Sequence, residues 1–224
     1  MPPLPWRSGL ETAPLAGDMT CQPKDAPMTA LPPLTPRPDV TAFLLTRRSR
    51  PAKTLVAPAP DRAALEPMLT AALRVPDHGK LEPWRLIVLR DAALIRLADL
   101  TTRLGAAQDR DADKLAKARA MFTDAPAMVA VIGSPQPSDK VPAIEQTLSA
   151  GAVCLGLVNA ALAAGWGANW LSGWMATDRD WLTRGLDLAA SEYVAGFIVL
   201  GTETSAPPDR PRPDVDALTT WVEA

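Results

Sequence analysis

An α+β fold with more helices than strands is what this sequence predicts, and three observations carry the prediction. Short apolar runs rich in β-branched residues, WRLIVL (84–89), AMVAVIG (127–133) and YVAGFIVLG (193–201), read as buried strands. Segments with helical apolar spacing and capping residues lie before and between them. The 224 residues are enough for one ordinary domain with a sizeable core.

Taken in order, residues 1–38 hold ten of the 24 prolines and show neither helical nor alternating spacing. A disordered Pro-rich N-terminal tail is therefore expected over 1–38, followed by one folded domain over 39–224. A secretory signal would need an unbroken apolar stretch, and Pro14, Gly17, Asp18 and Pro23 interrupt it. Asp39 is an N-cap candidate for a helix over 40–48, with Phe43 and Leu44 on its apolar face. Asp61 caps a second helix through Leu65, Leu69, Ala72 and Leu73, in which Pro67 removes a backbone donor and predicts a kink. Asp91 opens a helix through Leu94, Leu97 and Leu100, residues 111–122 form another, and 178–186 a further one. Residues 207–213 are expected to be extended.

Residues 146–177 contain no charged side chain, a length that would span a bilayer if helical throughout. Gln146, Asn159, Asn169 and several glycines interrupt the apolar run, and no Lys/Arg cluster flanks it. A long helix over 142–165, buried by neighbours on all sides, accounts for the same composition. A membrane-associated interaction protein built on this stretch is the competing reading.

Charge and cysteine content exclude several functions. Lys and Arg total 23 against 25 Asp and Glu, so no basic field exists to hold a nucleic acid. Two cysteines and one histidine supply neither a disulfide framework nor a structural zinc site, which points to a cytoplasmic, metal-free protein. Gly165-Trp166-Gly167 follows a helix and lacks the third glycine of a dinucleotide fingerprint. Asp109, Asp111 and Asp113 open like a calcium loop, but Lys114 stands in place of its glycine. No Walker, zincin or nucleophile-elbow motif is present.

Four segments carry unusual chemistry. Arg47, Arg48 and Ser49, followed by Arg50, offer forked donors and a hydroxyl suited to a phosphate, or else simply complement a helix C-terminus. Between Arg74 and Trp84, two prolines and a glycine stiffen a loop that carries His78, the only histidine. Three of seven tryptophans fall within residues 165–174, among glycines that let backbone approach a flat aromatic surface; core packing would also account for them. Arg210-Pro211-Arg212-Pro213 is a rigid basic stretch that is either a solvated linker or a site.

Together, in order and spacing, these segments resemble the flavin-dependent nitroreductase family, most of all its short YdjA-like branch. The residues that carry the resemblance are Arg47-Arg48-Ser49, Arg74-x-Pro76-Asp77-His78 with Pro83-Trp84, Glu145-Gln146 with Ser149-Ala150-Gly151, Trp170-x-Ser172-Gly173 after Gly165-x-Gly167, and Gly196-Phe197-x-x-Leu200-Gly201-Thr202. The match runs from about Val40 to the C-terminus. It implies a nitroreductase-like α+β fold, a mainly antiparallel sheet flanked by helices and completed by exchange of chain ends in a homodimer, with FMN in each interface cleft. It places Arg47, Arg48 and Ser49 on the phosphate and ribityl chain. Arg74 and His78 would reach FMN from the partner subunit, Trp170, Leu171 and Ser172 would run along the isoalloxazine, and Arg210 or Arg212 would add a phosphate contact. A nicotinamide contact falls on Ala160, Ala161, Leu162, Ala163, Ala164 and Gly165.

The implied activity is ping-pong transfer of a hydride from NADH or NADPH to FMN and then of electrons to a small organic acceptor such as a nitroaromatic or quinone. Because the hydride chemistry belongs to the flavin, the chain needs no acid/base pair of its own. One of Arg50, Lys53, Arg74 or Lys80 is expected to offset the negative charge of the reduced pyrimidine edge. Leu171 stands where the branch often carries arginine, so a flavin-sequestering protein without turnover is the alternative.

Overall fold

The computed structural model describes residues 31–223, and the chain divides between Pro33 and Leu34 into two units, of which the second is described below. Most of the expected tail, residues 1–30, lies outside the described residues.

The elements in order are α1 (Pro38–Thr46), β1 (Leu55–Val56), α2 (Arg62–Ala72), β2 (Trp84–Leu89), α3 (Asp91–Ala107), α4 (Ala112–Thr123), β3 (Ala127–Gly133), α5 (Ala143–Ala163), β4 (Gly167–Leu171), α6 (Arg179–Leu186), β5 (Tyr193–Glu203) and α7 (Val215–Leu218). Capping residues set several of these starts. Asp61 Oδ1 accepts from Ala64 N at 2.8 Å, Asp111 Oδ1 from Lys114 N at 2.9 Å and Asp178 Oδ1 from Trp181 N at 2.9 Å. The aspartates that resembled a calcium loop thus include a helix cap.

Every strand pairing is antiparallel, and β5 is the centre of the sheet. Its residues pair with β3 on one side (Ala127↔Leu200 to Gly133↔Tyr193) and with β4 (Gly167↔Gly201 to Leu171↔Phe197), while its end takes β1. β2 extends the sheet beyond β3. Alternation along β3 and β5 divides the core. Met128, Ala130, Ile132, Phe197 and Val199 face α3, α4 and α6, whereas Val129, Val131, Ile198 and Leu200 face α2 and α5. On the first face Phe122 stacks on Trp181 at 5.5 Å, both meet Phe197 edge-on, and the Trp181 indole N–H donates to Thr101.

Three expectations change. α1 begins at Pro38, with Asp39 in its first turn paired to Arg37 rather than capping, and ends at Thr46, so Arg47 and Arg48 lie in the coil beyond it. β2 is a partly exposed edge strand in this chain rather than a buried one, because nothing pairs its outer side among the described residues. α5 is long and apolar enough to cross a membrane, but it packs one face on α2 and the sheet through Val153, Cys154, Leu157, Val158 and Ala161. Its other face leaves Ile144, Leu148 and Leu155 exposed, so burial is not all round. β1, β4 and α7 were not anticipated as regular elements. They are short, and β4 carries glycine, asparagine and tryptophan in place of an apolar β-branched run.

Arg85 on β2 grips Glu192 with two bonds, at 2.7 and 2.8 Å, beside the start of β5. This ion pair holds the Glu192 carboxyl down at about 2, against 4.5 ordinarily. A depressed carboxyl stabilises the fold fully above about pH 4.5 and loses that contribution as pH falls towards 2. Glu192→Gln should therefore melt below wild type at neutral pH and converge with it in acid, and parallel pH–stability curves would contradict this. Phe122→Ala, which empties the aromatic cluster, should cost about 3–5 kcal/mol in chemical denaturation.

Candidate functional site

Past α1 the chain turns along the sheet edge and is tied to β4 by backbone. Arg50 N donates to Ala168 O at 2.9 Å, and Asn169 Nδ2 donates to Arg50 O at 2.8 Å. These bonds place Arg47, Arg48 and Ser49 beside the strand that carries Trp170 and Leu171. Arg47 Nη2 donates to Ser49 Oγ at 3.1 Å. Arg48 Nη1 lies 3.4 Å from Ser49 O, a long contact.

Two donors in this segment, Arg47 Nε and Arg48 Nε, are buried without a partner. A buried unpaired donor on a cation is costly, and such groups mark places where an acceptor belongs. The Arg47 guanidinium is pushed below its ordinary pKa by burial and then by the neighbouring charges of Arg212 and Arg48. Arg212 therefore approaches the same point from the C-terminal arm, where Asp209 pairs with it at 2.6 Å. Arg210 makes only a backbone bond to Asp209, so of the two arginines of that stretch it is Arg212 that joins the cluster.

Arg50 is engaged elsewhere, in a 2.7 Å pair with Glu203 at the end of β5. A recess of about 270 Å³ opens beside Leu171 and Ser172, walled by Ala52, Met121 and Val199, with Lys53 and Lys117 at its margin. Of Arg50, Lys53, Arg74 and Lys80, Lys53 is thus the one at this recess. Trp170 lies across Gly196, where a Cβ would come within 2.1 Å of the indole nitrogen. Only glycine lets the ring approach the strand so closely.

Arg74 and His78 sit apart from this cluster, on the loop between α2 and β2. His78 Nδ1 is 2.7 Å from Glu145 Oε2 on α5. Trp84 Nε1 donates to Ser149 Oγ at 3.0 Å, and Ser149 Oγ donates to Pro76 O at 2.8 Å. Of residues 160–165, Ala160 and Ala163 line a groove between α5 and α1, Ala161 is wholly buried against the sheet, Leu162 packs on that core, Ala164 caps the helix and Gly165 turns it with φ +82°. Within one chain the structure thus brings together Arg47, Arg48, Ser49, Trp170, Leu171, Ser172 and Arg212, and not Arg74 or His78.

The pairings Asn169–Arg50, Arg50–Glu203 and His78–Glu145 were not read from the sequence, where partners lie between 67 and more than 100 positions apart. The one available signal was Glu145 itself, the single acid on the first turn of a long helix without other charges. Among the described residues no cluster of three His, Cys, Asp or Glu could hold a metal. Burial pushes the thiol of Cys154 up to about 12, which makes it an inert core residue.

Residues 44–202 match the Nitroreductase family. A Haemophilus influenzae protein provisionally named NAD(P)H nitroreductase is 36% identical over 166 residues, spanning 73% of this chain and 88% of that protein. Escherichia coli YdjA, which carries the same provisional name, is 31% identical over 164 residues, with the same shares covered. Among solved structures, a nitroreductase-like family protein from Bacillus cereus superposes with a TM-score of 0.72 at 20% identity, covering 87% of this chain and all of its own. A Bacteroides fragilis nitroreductase with bound FMN gives 0.64 at 19% identity, covering 83% of this chain and 99% of its own.

Gly196→Ala should displace the Trp170 indole and lower stability by about 1–3 kcal/mol. An unchanged melting temperature would show that the ring does not rest on that strand.

Proposed function

The chain belongs to the nitroreductase family, and from that premise we propose that it is an FMN-dependent NAD(P)H oxidoreductase of the nitroreductase or quinone-reductase type. The observation that carries the reading is the pair of buried, unpartnered Nε donors on Arg47 and Arg48, with Ser49 and Arg212 converging on the same place. Three guanidiniums around one hydroxyl suit a dianionic monophosphate, which is the donor set this cofactor asks for.

When bound, FMN supplies the hydride and electron chemistry, accepting from a nicotinamide and delivering to a small organic acceptor. The chain's part is to bind, orient and tune. Arg47, Arg48, Ser49 and Arg212 would hold the phosphate and ribityl oxygens. The end of β4, at Trp170, Leu171 and Ser172, would run along the ring system, with Leu171 excluding water from that side. Lys53 stands beside that strand end, while Arg50 is partly neutralised by Glu203, so Lys53 is the better placed of the two to offset negative charge. A nicotinamide would pass near residues 160–165 through Ala160 and Ala163, which line a groove, rather than through buried Ala161.

A cytoplasmic homodimer is part of the same proposal. Apolar side chains exposed on α1 (Val40, Leu44, Leu45) and on α5 (Ile144, Leu148, Leu155) would be covered by a second copy. Val215, Leu218, Trp221 and Val222 of the C-terminal arm are also exposed, which fits an arm that packs on a partner and completes its sheet. In such a dimer Arg74 and His78 would complete the partner's site.

Purified protein with FMN should be yellow and lose its colour when NADH or NADPH is added without oxygen. A yellow protein that keeps its colour with both nicotinamides would favour flavin sequestration instead, and a colourless one that ignores added FMN would overturn both. Arg48→Ala should weaken FMN binding by about 1–3 kcal/mol in equilibrium titration.

A further inference from the structure

The loop that carries His78 is held in an unusual path. Gly79, Lys80 and Glu82 all have positive φ, at 74°, 54° and 47°, two of them without glycine's freedom. Such backbone persists only where its surroundings over-determine it. Here Asp77 accepts from Leu81 N at 3.2 Å and from Glu82 N at 2.9 Å. From outside the loop, α5 supplies the rest. Glu145 and Ser149 are four residues apart and share one face of that helix. Ser149 grips the Pro76 carbonyl and receives the Trp84 indole, while Glu145 meets the His78 ring two residues further along.

The chemistry of that last contact selects one form of the imidazole. An ionised carboxylate only accepts hydrogen bonds, so at 2.7 Å from Glu145 Oε2 the ring nitrogen Nδ1 carries the hydrogen. In the neutral ring Nε2 is then the bare nitrogen. Without a carboxylate at Nδ1, either nitrogen can carry the proton.

We propose that Glu145 is a positioning residue that holds His78 in its Nδ1–H form and orientation, leaving Nε2 as the atom offered to a hydroxyl or N–H of the cofactor. This rests on the reading of His78 as an FMN contact, and adds to it the group that aims the ring. Glu145 acts through His78 and does not itself touch the cofactor.

Because His78 is the only histidine in the chain, its nitrogen resonances can be assigned without ambiguity. In alkaline buffer, long-range proton–nitrogen correlation on uniformly 15N-labelled full-length protein should show hydrogen on Nδ1 in wild type and in Glu145→Gln, whose amide oxygen also accepts. The pattern should be lost in Glu145→Ala. Hydrogen on Nε2 in wild type, or nitrogen shifts unchanged in Glu145→Ala, would overturn the assignment, and the wild-type measurement needs no variant to fold. Titration with FMN supplies the functional half. His78→Ala should weaken FMN binding about threefold to tenfold, the range for one neutral hydrogen bond, with Glu145→Ala losing part of this and Glu145→Gln retaining wild-type affinity. Wild-type affinity in Glu145→Ala, alongside a clear loss in His78→Ala, would overturn the positioning role alone. Wild-type affinity in His78→Ala would instead overturn the reading of His78 as a cofactor contact.

Discussion

Two hydrogen bonds between residue 50 and strand β4 hold the site together. One runs from Arg50 N to the Ala168 carbonyl and the other from the Asn169 side chain to the Arg50 carbonyl. Without them the coil after α1 would be free to separate the adjacent Arg47 and Arg48 by mutual repulsion. With them Arg47 and Arg48 stay side by side, their Nε donors shut off from water, and burial together with the nearby charges of Arg212 and Arg48 pushes the Arg47 guanidinium below its ordinary pKa. Asp209 answers Arg212, which leaves the buried, unpartnered Nε donors of Arg47 and Arg48 as the point in this cluster where an anionic acceptor fits.

The sheet gives that coil something rigid to be tied to. β5 is paired on both sides over residues 197–200, and its neighbours β3 and β4 are fixed by it in register. Helix α5 crosses the same sheet with its buried face and leaves an apolar face outward. One helix therefore serves the core on one side and leaves an apolar surface on the other, while its first turns steady the loop of His78. The same residues that make it resemble a membrane span by composition make it a helix that can be buried from both directions.

Much of this architecture was legible in the sequence, for identifiable reasons. β3 is an unbroken apolar run, α3 has helical apolar spacing, and α4 and α6 have capping aspartates, and each appears where expected. β4 escaped because Gly167, Asn169 and Trp170 do not look like a strand, and only pairing with the glycine-bearing face of β5 makes them one. α1 extends less far than its arginines suggested, since Arg47 already leaves the helical range and the chain turns there to meet β4 through Arg50 N and Ala168 O. The phosphate-type cluster was visible as residue types at 47–49 and 210–212, but the choice of Arg212 over Arg210 needed the fold. Pairings across long stretches of chain, such as Glu145 with His78, leave almost no local trace.

Comparing FMN with riboflavin in equilibrium binding to the full-length protein tests the central claim most directly, because the two ligands differ only in the phosphate. The arginine cluster predicts that FMN binds far more tightly, with the gap narrowing steeply as salt is raised. Equal affinities for the two, insensitive to ionic strength, would show that these guanidiniums do not hold a phosphate.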